Sequence, residues 1–198
     1  MENNIKPRTE TEISVLVLGV GNILLMDEGA GVWAVEMLRN SYDLPPEVEV
    51  IDGGTMGIEL LDYLMDRSHL FIIDVVKSGK EPGTVSVIEL DDPFAYRTRI
   101  SPHQLGLNEV LGVASVTGDM PGAIKIFGIE PEKIETGCVL SEKVAGKLEQ
   151  LVGMVKREIE SLGLAMDRRL TDSPAANEHE KRGYSPRLAA GVSSEFDV

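Results

Sequence analysis

Three residues of this 198-residue chain, scattered along the sequence, are of types that can bind a metal ion. Glu28 follows a buried run that ends in Gly-Val-Gly-Asn, Asp74 lies at the end of an apolar run, and His103 follows a long loop. Two carboxylates and one imidazole suit a borderline divalent ion such as zinc or nickel. Because three protein ligands leave coordination positions open, this set also fits a catalytic or substrate-receiving site.

Each of these residues also has a simpler structural explanation. Asp74 can cap a neighbouring loop at its strand end, and Glu28 can complement a helix dipole from the first turn. His103 can hydrogen-bond to backbone at the start of its own helix. Composition and spacing alone therefore predict an α/β domain with an acidic cleft and leave its chemistry open.

Apolar runs alternate with amphipathic segments along the chain, and these elements must position the three residues. The apolar runs predict strands at 13–18, 48–52, 69–76, 84–90 and 123–129. Helical spacing predicts helices from 27 or 28 onward, at 57–65, at 103–114 and at 141–162, the last with Ser141 as its N-cap.

The order of these elements predicts the architecture. Alternating strands and helices favour a three-layer α/β domain with a mostly parallel sheet and helices on both faces. The turn before 84–90 is only a few residues long, so that strand is expected to be antiparallel or at an edge. Residues 1–164 are expected to form a single domain. Residues 165–198 are polar and lack periodicity, which predicts a flexible tail.

The composition argues against several partners and locations. A formal net charge of -14 opposes binding to nucleic acid or to an anionic membrane. No stretch approaches the roughly 20 apolar residues of a membrane span, and the N-terminus does not have the features of a secretory signal. The single cysteine, Cys138, cannot form an intrachain disulfide, which fits a reducing cytoplasm.

A nucleotide-binding interpretation fits the sequence less well. Gly19, Gly21 and Asp52 match two glycines and the acidic residue of the dinucleotide fingerprint. The third glycine position holds Leu24, whose bulk would hold the helix and the strand apart. Two carboxylates at the helix N-terminus would also oppose a pyrophosphate there. We therefore expect no nucleotide, and a Rossmann-like nucleotide-binding protein is the weaker alternative.

Several motifs occur in order between about residues 15 and 131. They are VLVLGVGNILLMDEGAGV, VEVIDGGTMGIELL, HLFIIDVV, PGTV, SPHQLGL, VTGDMP and FGIEP. Together they resemble the hydrogenase maturation endopeptidases. These cytoplasmic proteases trim the C-terminal extension from the large-subunit precursor of nickel–iron hydrogenases. The likeness extends more weakly to about residue 162.

The resemblance implies a fold and a set of site residues. Glu28, Asp74 and His103 would face a common cleft and contact nickel that the precursor supplies. Asp27 matches the adjacent acid of the family and can turn the other way to cap the helix. The family fold is a three-layer sandwich on a twisted five-stranded sheet, and its members are usually monomers.

The resemblance also indicates a substrate cleft and a reaction. We expect the turn Asp52-Gly53-Gly54-Thr55 to line the cleft with backbone donors, and Gln104 to contact substrate or support a ligand. The expected activity is endopeptidase cleavage of the precursor after nickel insertion, with the ion serving recognition, carbonyl polarisation or water activation. Two alternatives are a chaperone that docks the nickel-loaded precursor without cutting it and an aspartic-type hydrolase that uses Asp74, a second acid and no metal.

Overall fold

The computed structural model describes residues 13–90 and 105–169. Five strands form one sheet in these ranges: β1 Val15–Val20, β2 Val48–Gly54, β3 His69–Val75, β4 Val85–Glu89 and β5 Ala123–Ile129. Their order across the sheet is β2-β1-β3-β5-β4, and every pair is parallel except β4 with β5. The predicted five-stranded, mostly parallel sheet is confirmed, and β4 is the antiparallel edge strand that its short preceding turn indicates.

Five described helices lie between or after these strands. They are α1 Ala30–Ser41, α2 Leu61–Leu64, α3 Leu105–Thr117, α4 Glu142–Ala145 and α5 Leu148–Ser161. Short 3-10 helices at Met26–Gly29 and Ile58–Leu60 precede α1 and α2. The predicted start of a helical segment near residue 27 or 28 therefore falls within a 3-10 turn, and α1 begins at Ala30.

Alternate side chains of the central strands pack against different helices. In β1, Val15 and Val17 belong to the core that includes α1 and α5. Leu16 and Leu18 belong to the core that includes α2 and α3. Because both faces of these strands are covered, the strands are continuous apolar runs and not alternating ones.

The single helix predicted at 141–162 is wrong, because this segment forms α4 and α5 with a tight turn between them. Lys147 N–H donates to Val144 O at 3.0 Å within this turn. Ser141 stands at the N-cap position of α4 but makes no side-chain cap bond to it. Its hydroxyl donates instead to the carboxylate of Asp27 at 2.9 Å.

The packed domain continues past residue 164. Met166 is 3% exposed and belongs to the core on the α1 and α5 side. Asp43 N–H donates to Asp167 O at 2.9 Å, and Arg169 N–H donates to Ser41 O at 2.8 Å. Residues 165–169, expected to begin a flexible tail, are therefore bonded to the end of α1. The remainder of that tail, residues 170–198, lies outside the described residues.

Two further expectations lie partly or wholly outside the described residues. The long loop before His103 is one, and the start of a helix at His103 is the other. The described part of that helix runs from Leu105 to Thr117, slightly beyond its predicted end. Within the ranges described, no helix combines the length and the apolar character that crossing a membrane demands.

Candidate functional site

The carboxyl ends of β1 and β3 lie side by side at the centre of the sheet. The two strands pair in parallel from Val15 opposite His69 to Gly19 opposite Ile73. The helix after β1 packs on one face of the sheet, and α3, which follows β3 and β4 along the chain, packs on the other. In open α/β sheets, such a reversal opens a crevice at the strand ends where ligands bind. The residues that follow β1 and those that end β3 are therefore the first candidates for a functional site.

A glycine turn brings Glu28 back against the end of β1. Gly21 has a φ of +133°, and a Cβ on it would lie 3.0 Å from the carbonyl carbon of Glu28 and closer still to its oxygen. Glycine is the residue that tolerates both this backbone angle and this close approach. The turn after β1 and the 3-10 helix Met26–Gly29 are therefore in direct backbone contact.

A second close approach sets the start of α1 against both central strands. A Cβ on Gly31 would lie 2.9 Å from Val20 N, and closer still to the carbonyl oxygens of Val20 and Ile73. The missing side chain lets the first turn of α1 rest directly on the ends of β1 and β3. Glu28, which precedes this turn, is therefore held near the end of β3.

Asp74, at the end of β3, is a fully buried carboxyl group with 0% exposure. Burial raises the pKa of Asp74 well above its usual range, the hydrogen bond from Val75 N–H opposes that rise, and the charge of Glu28 adds to it. The Val75 bond measures 2.7 Å. The structure thus brings Glu28 and Asp74 close enough for one to affect the ionisation of the other.

Glu28 has a carboxylate oxygen that is enclosed by protein. Its Oε2 atom is buried, and no donor within residues 13–90 and 105–169 lies within hydrogen-bond distance of it. A buried acceptor without a partner destabilises a fold by about 1–3 kcal/mol. Two neighbouring acids, one with an enclosed and unbonded oxygen, form a donor set that fits a cation.

The third predicted ligand, His103, and the predicted substrate contact Gln104 lie outside the described residues. The described part of α3 begins directly after them at Leu105. Five residues join the end of α3 to the start of β5, so α3 runs antiparallel to β5. Its N-terminal end therefore lies toward the carboxyl edge of the sheet. In the part of the chain that the structure describes, no three His, Cys, Asp or Glu residues form a group able to hold a metal.

The end of β2 and the turn that follows it line a cavity. The cavity has a volume of about 410 Å³ and is lined by Asp52, Gly53, Gly54, Thr55, Met56, Gly57 and Glu59. Gly21 N–H donates to Gly54 O at 2.9 Å, which joins the cavity wall to the turn after β1. The four residues predicted to line a cleft, 52–55, do line a concave surface at the expected edge of the sheet.

Asp27 turns away from Glu28 as expected but does not cap the helix. It has 0% exposure and accepts hydrogen bonds from the backbone N–H groups of Glu132, Lys133 and Ser141 and from the Ser141 hydroxyl. The sequence gives no sign of these partners, because they lie 105 to 114 residues away. The sequence shows only that Asp27 is an acid next to the candidate ligand Glu28, and this does not identify its partners.

Comparison with known proteins gives consistent results. A family model of the HycI type, described as hydrogenase maturation protease, matches residues 32–158. The "Hydrogenase 2 maturation protease" of Escherichia coli K12 is 41% identical over 152 residues, which cover 76% of this chain and 93% of that protein. "Hydrogenase expression/formation protein HupD" of Rhizobium leguminosarum bv. viciae is 37% identical over 78% of each chain.

A solved structure has the same fold. The hydrogenase maturating endopeptidase HybD from E. coli superposes with a TM-score of 0.75 at 40% sequence identity. The superposition covers 79% of this chain and 98% of that one. The curated relatives and this structure are similar to the chain over most of the described residues.

Proposed function

The chain belongs to the hydrogenase maturation proteases and is therefore an endopeptidase, and on this premise we propose its substrate and its site. It removes the C-terminal extension of a nickel–iron hydrogenase large-subunit precursor after nickel has been inserted. Glu28, Asp74 and His103 contact that nickel, which arrives with the precursor. Recognition of the ion would couple cleavage to completion of the metal centre.

The observation that carries this proposal is the pair of acids at the ends of β1 and β3. Burial and the Glu28 charge both raise the pKa of Asp74, and Glu28 has an enclosed oxygen without a donor among the described residues. The charge of Glu28 disfavours ionisation of Asp74 while no cation is present. A divalent ion between them would offset the repulsion and satisfy the enclosed oxygen, so the pair favours the nickel-loaded precursor over the empty one.

The cavity lined by residues 52–57 and 59 is a candidate binding place for the precursor's extension. Its lining is rich in glycine and includes the exposed side chain of Met56. Backbone groups can hydrogen-bond to the main chain of an extended peptide largely independently of its sequence, while apolar side chains add contact area. We propose that Asp52, Gly53, Gly54 and Thr55 hold the extension there, with Gln104 as a further contact.

Several broader properties belong to the same proposal. The protein is a monomer in the cytoplasm with neither nucleic acid nor nucleotide as partner, and its helices and sheet form a three-layer sandwich. The net charge of -14 supports the absence of a polyanionic partner. The two cores on either side of the sheet support the layered arrangement.

The raised pKa of Asp74 also favours a second mechanism. A buried carboxyl group with a raised pKa can act as a general acid, and two neighbouring acids can activate water without a metal. In that case cleavage would proceed on a nickel-free precursor in the presence of a chelator. In the proposed mechanism, the same mixture would remain uncut.

Intact-mass spectrometry of the precursor tests the proposal. We expect the nickel-loaded precursor to lose its extension and the nickel-free precursor to stay whole. Glu28→Gln and His103→Ala should each abolish cleavage while leaving the circular dichroism spectrum unchanged. Glu109→Gln, which removes an exposed acid on α3, is the matched control and should cleave normally. Full cleavage by either site variant would remove that residue from the site.

A further inference from the structure

Asp27 is a buried carboxylate that the proposed reaction does not use. Its Oδ2 atom accepts from Glu132 N–H at 2.9 Å, from Lys133 N–H at 2.8 Å and from the Ser141 hydroxyl at 2.9 Å. Its Oδ1 atom accepts from Ser141 N–H at 2.7 Å. All of these donors belong to residues 130–141, which join β5 to α4 and are called here the β5–α4 connection.

The backbone around Asp27 is bonded to the same segment. Met26 N–H donates to Gly137 O at 2.8 Å, Asp27 N–H donates to Lys133 O at 3.2 Å, and Gly137 N–H donates to Leu24 O at 2.9 Å. The turn that carries Glu28 is therefore joined to the β5–α4 connection by both main chain and side chain. The Asp27 side chain accepts four of these bonds.

The turn needs such support because it has little stability of its own. The 3-10 helix Met26–Gly29 is four residues long and has no side-chain cap bond. Met26 has a φ of +52°, a left-handed conformation that costs a residue with a side chain about 1–2 kcal/mol. Without external bonds, one short turn with such a residue does not persist as a single conformation.

We propose that Asp27 is a positioning residue that fixes Glu28 by fastening its turn to the β5–α4 connection. The inference rests on the proposed function, because it takes Glu28 as a contact to the precursor's nickel. Asp27 itself points away from the acid pair and touches neither substrate nor ion. Its effect on the reaction passes through the backbone of the next residue, Glu28.

Asparagine should not replace Asp27, although the two side chains have the same shape. An amide has one acceptor oxygen, and its NH₂ group donates. In either orientation the NH₂ group of Asp27→Asn faces at least one donor that the carboxylate now satisfies. The variant therefore loses at least one side-chain bond and leaves a buried donor without an acceptor, so the turn is held less firmly to the β5–α4 connection.

Glu130 offers a matched control. Its carboxylate accepts from Ser78 N–H at 2.8 Å, from the Ser78 hydroxyl at 2.7 Å and from Gly79 N–H at 3.1 Å. This pattern resembles that of Asp27, but it fastens the loop after β3 and not the turn of Glu28. Glu130→Gln should therefore lower stability by a similar mechanism while leaving the position of Glu28 unchanged.

The experiment compares the full-length wild type, Asp27→Asn and Glu130→Gln at a temperature well below the melting point of each. We expect Asp27→Asn to reduce kcat/KM on the nickel-loaded precursor by about 10²-fold, which is the effect of moving a site group by about 1 Å. The kcat/KM of Glu130→Gln should stay within about twofold of the wild-type value, because Glu28 keeps its position in this variant. Backbone hydrogen exchange should quicken at residues 26–29 and 132–141 in the first variant and at 78–80 in the second.

Equal kcat/KM in the two variants after equal losses of stability would overturn the inference, because Asp27 would then act on stability alone. If Asp27→Asn does not fold, Ser141→Ala replaces it, since that change removes one of the four bonds. We expect Ser141→Ala to reduce kcat/KM by about two- to tenfold. An unchanged value would equally overturn the inference.

Glu28→Gln, measured in parallel, separates this inference from the proposed function. An inactive Glu28→Gln with a fully active Asp27→Asn would reject the positioning role and leave the proposed site intact. A fully active Glu28→Gln would instead reject the proposed site, and the positioning role with it.

Discussion

Replacing Gly21 by alanine should disrupt the turn that presents Glu28. Gly21 has a φ of +133°, where residues with side chains are rare and cost of order 1–3 kcal/mol. The new methyl group would also lie 3.0 Å from the carbonyl carbon of Glu28 and closer to its oxygen. Relieving that overlap adds about 1–3 kcal/mol as the packed turn moves apart. We therefore expect the free energy of unfolding to fall by about 4 kcal/mol.

Gly118→Ala separates the two contributions to this loss. Gly118 has a φ of +85°, and a Cβ on it would meet no atom within 4 Å. Only the backbone penalty applies there, so we expect a loss of about 1–2 kcal/mol. Gly118 follows the end of α3, so precursor cleavage should be unaffected. The excess loss in Gly21→Ala therefore measures the close contact with Glu28.

Urea unfolding at equilibrium measures both variants. Thermal unfolding is a second measurement. For a domain of this size, a loss of about 4 kcal/mol corresponds to a fall in Tm of roughly 8–16 °C, against roughly 2–8 °C for the control. Gly21→Ala should also lose cleavage of the nickel-loaded precursor at temperatures where it remains folded. Equal destabilisation of the two variants, with cleavage retained in both, would refute the closed turn as the reason that Glu28 is held at the site.

Two further predictions concern the buried acid and the end of the domain. Asp74→Asn should stabilise the metal-free protein at neutral pH. Because the pKa of Asp74 is raised in the folded state, ionisation of Asp74 disfavours folding once the pH exceeds its unfolded value. Melting scans should show a gain that disappears at acidic pH, and a gain independent of pH would contradict the raised pKa. Ending the chain at residue 164 should lower stability by about 2–5 kcal/mol relative to a chain that ends at 169, because the shorter one loses the buried Met166. Equal unfolding curves for the two chains would show that 165–169 does not belong to the domain.

The fold was largely predictable because its signals are local. The central strands are continuous apolar runs, and a parallel sheet buried on both faces requires such runs. The carboxyl ends of parallel strands lie at one edge of a sheet, which indicated Glu28 and Asp74 as candidates for a site there, and the family resemblance implied their common cleft. Gly21, directly after β1, has a φ of +133°, which lets the chain turn sharply there.

The remaining features depend on contacts that the local sequence does not encode. Residues 141–162 have helical periodicity throughout, and their division into α4 and α5 reflects a tight turn at Gly146 and Lys147. Ser141 has the right type for an N-cap, but its hydroxyl is used by Asp27, which is 114 residues away. Met166 lies in a polar stretch, and only its packing against the core shows that it belongs to the domain.

X-ray absorption at the nickel edge tests most directly whether the two acids and the histidine contact the precursor's ion. The nickel-loaded precursor is mixed with the protease, frozen before cleavage is complete, and compared with the precursor alone. We predict added oxygen and nitrogen ligands on nickel with the wild-type protease, and their loss with Glu28→Gln, while Glu109→Gln behaves as wild type. A nickel spectrum that stays unchanged while the wild-type protease cleaves the precursor would contradict the proposed site.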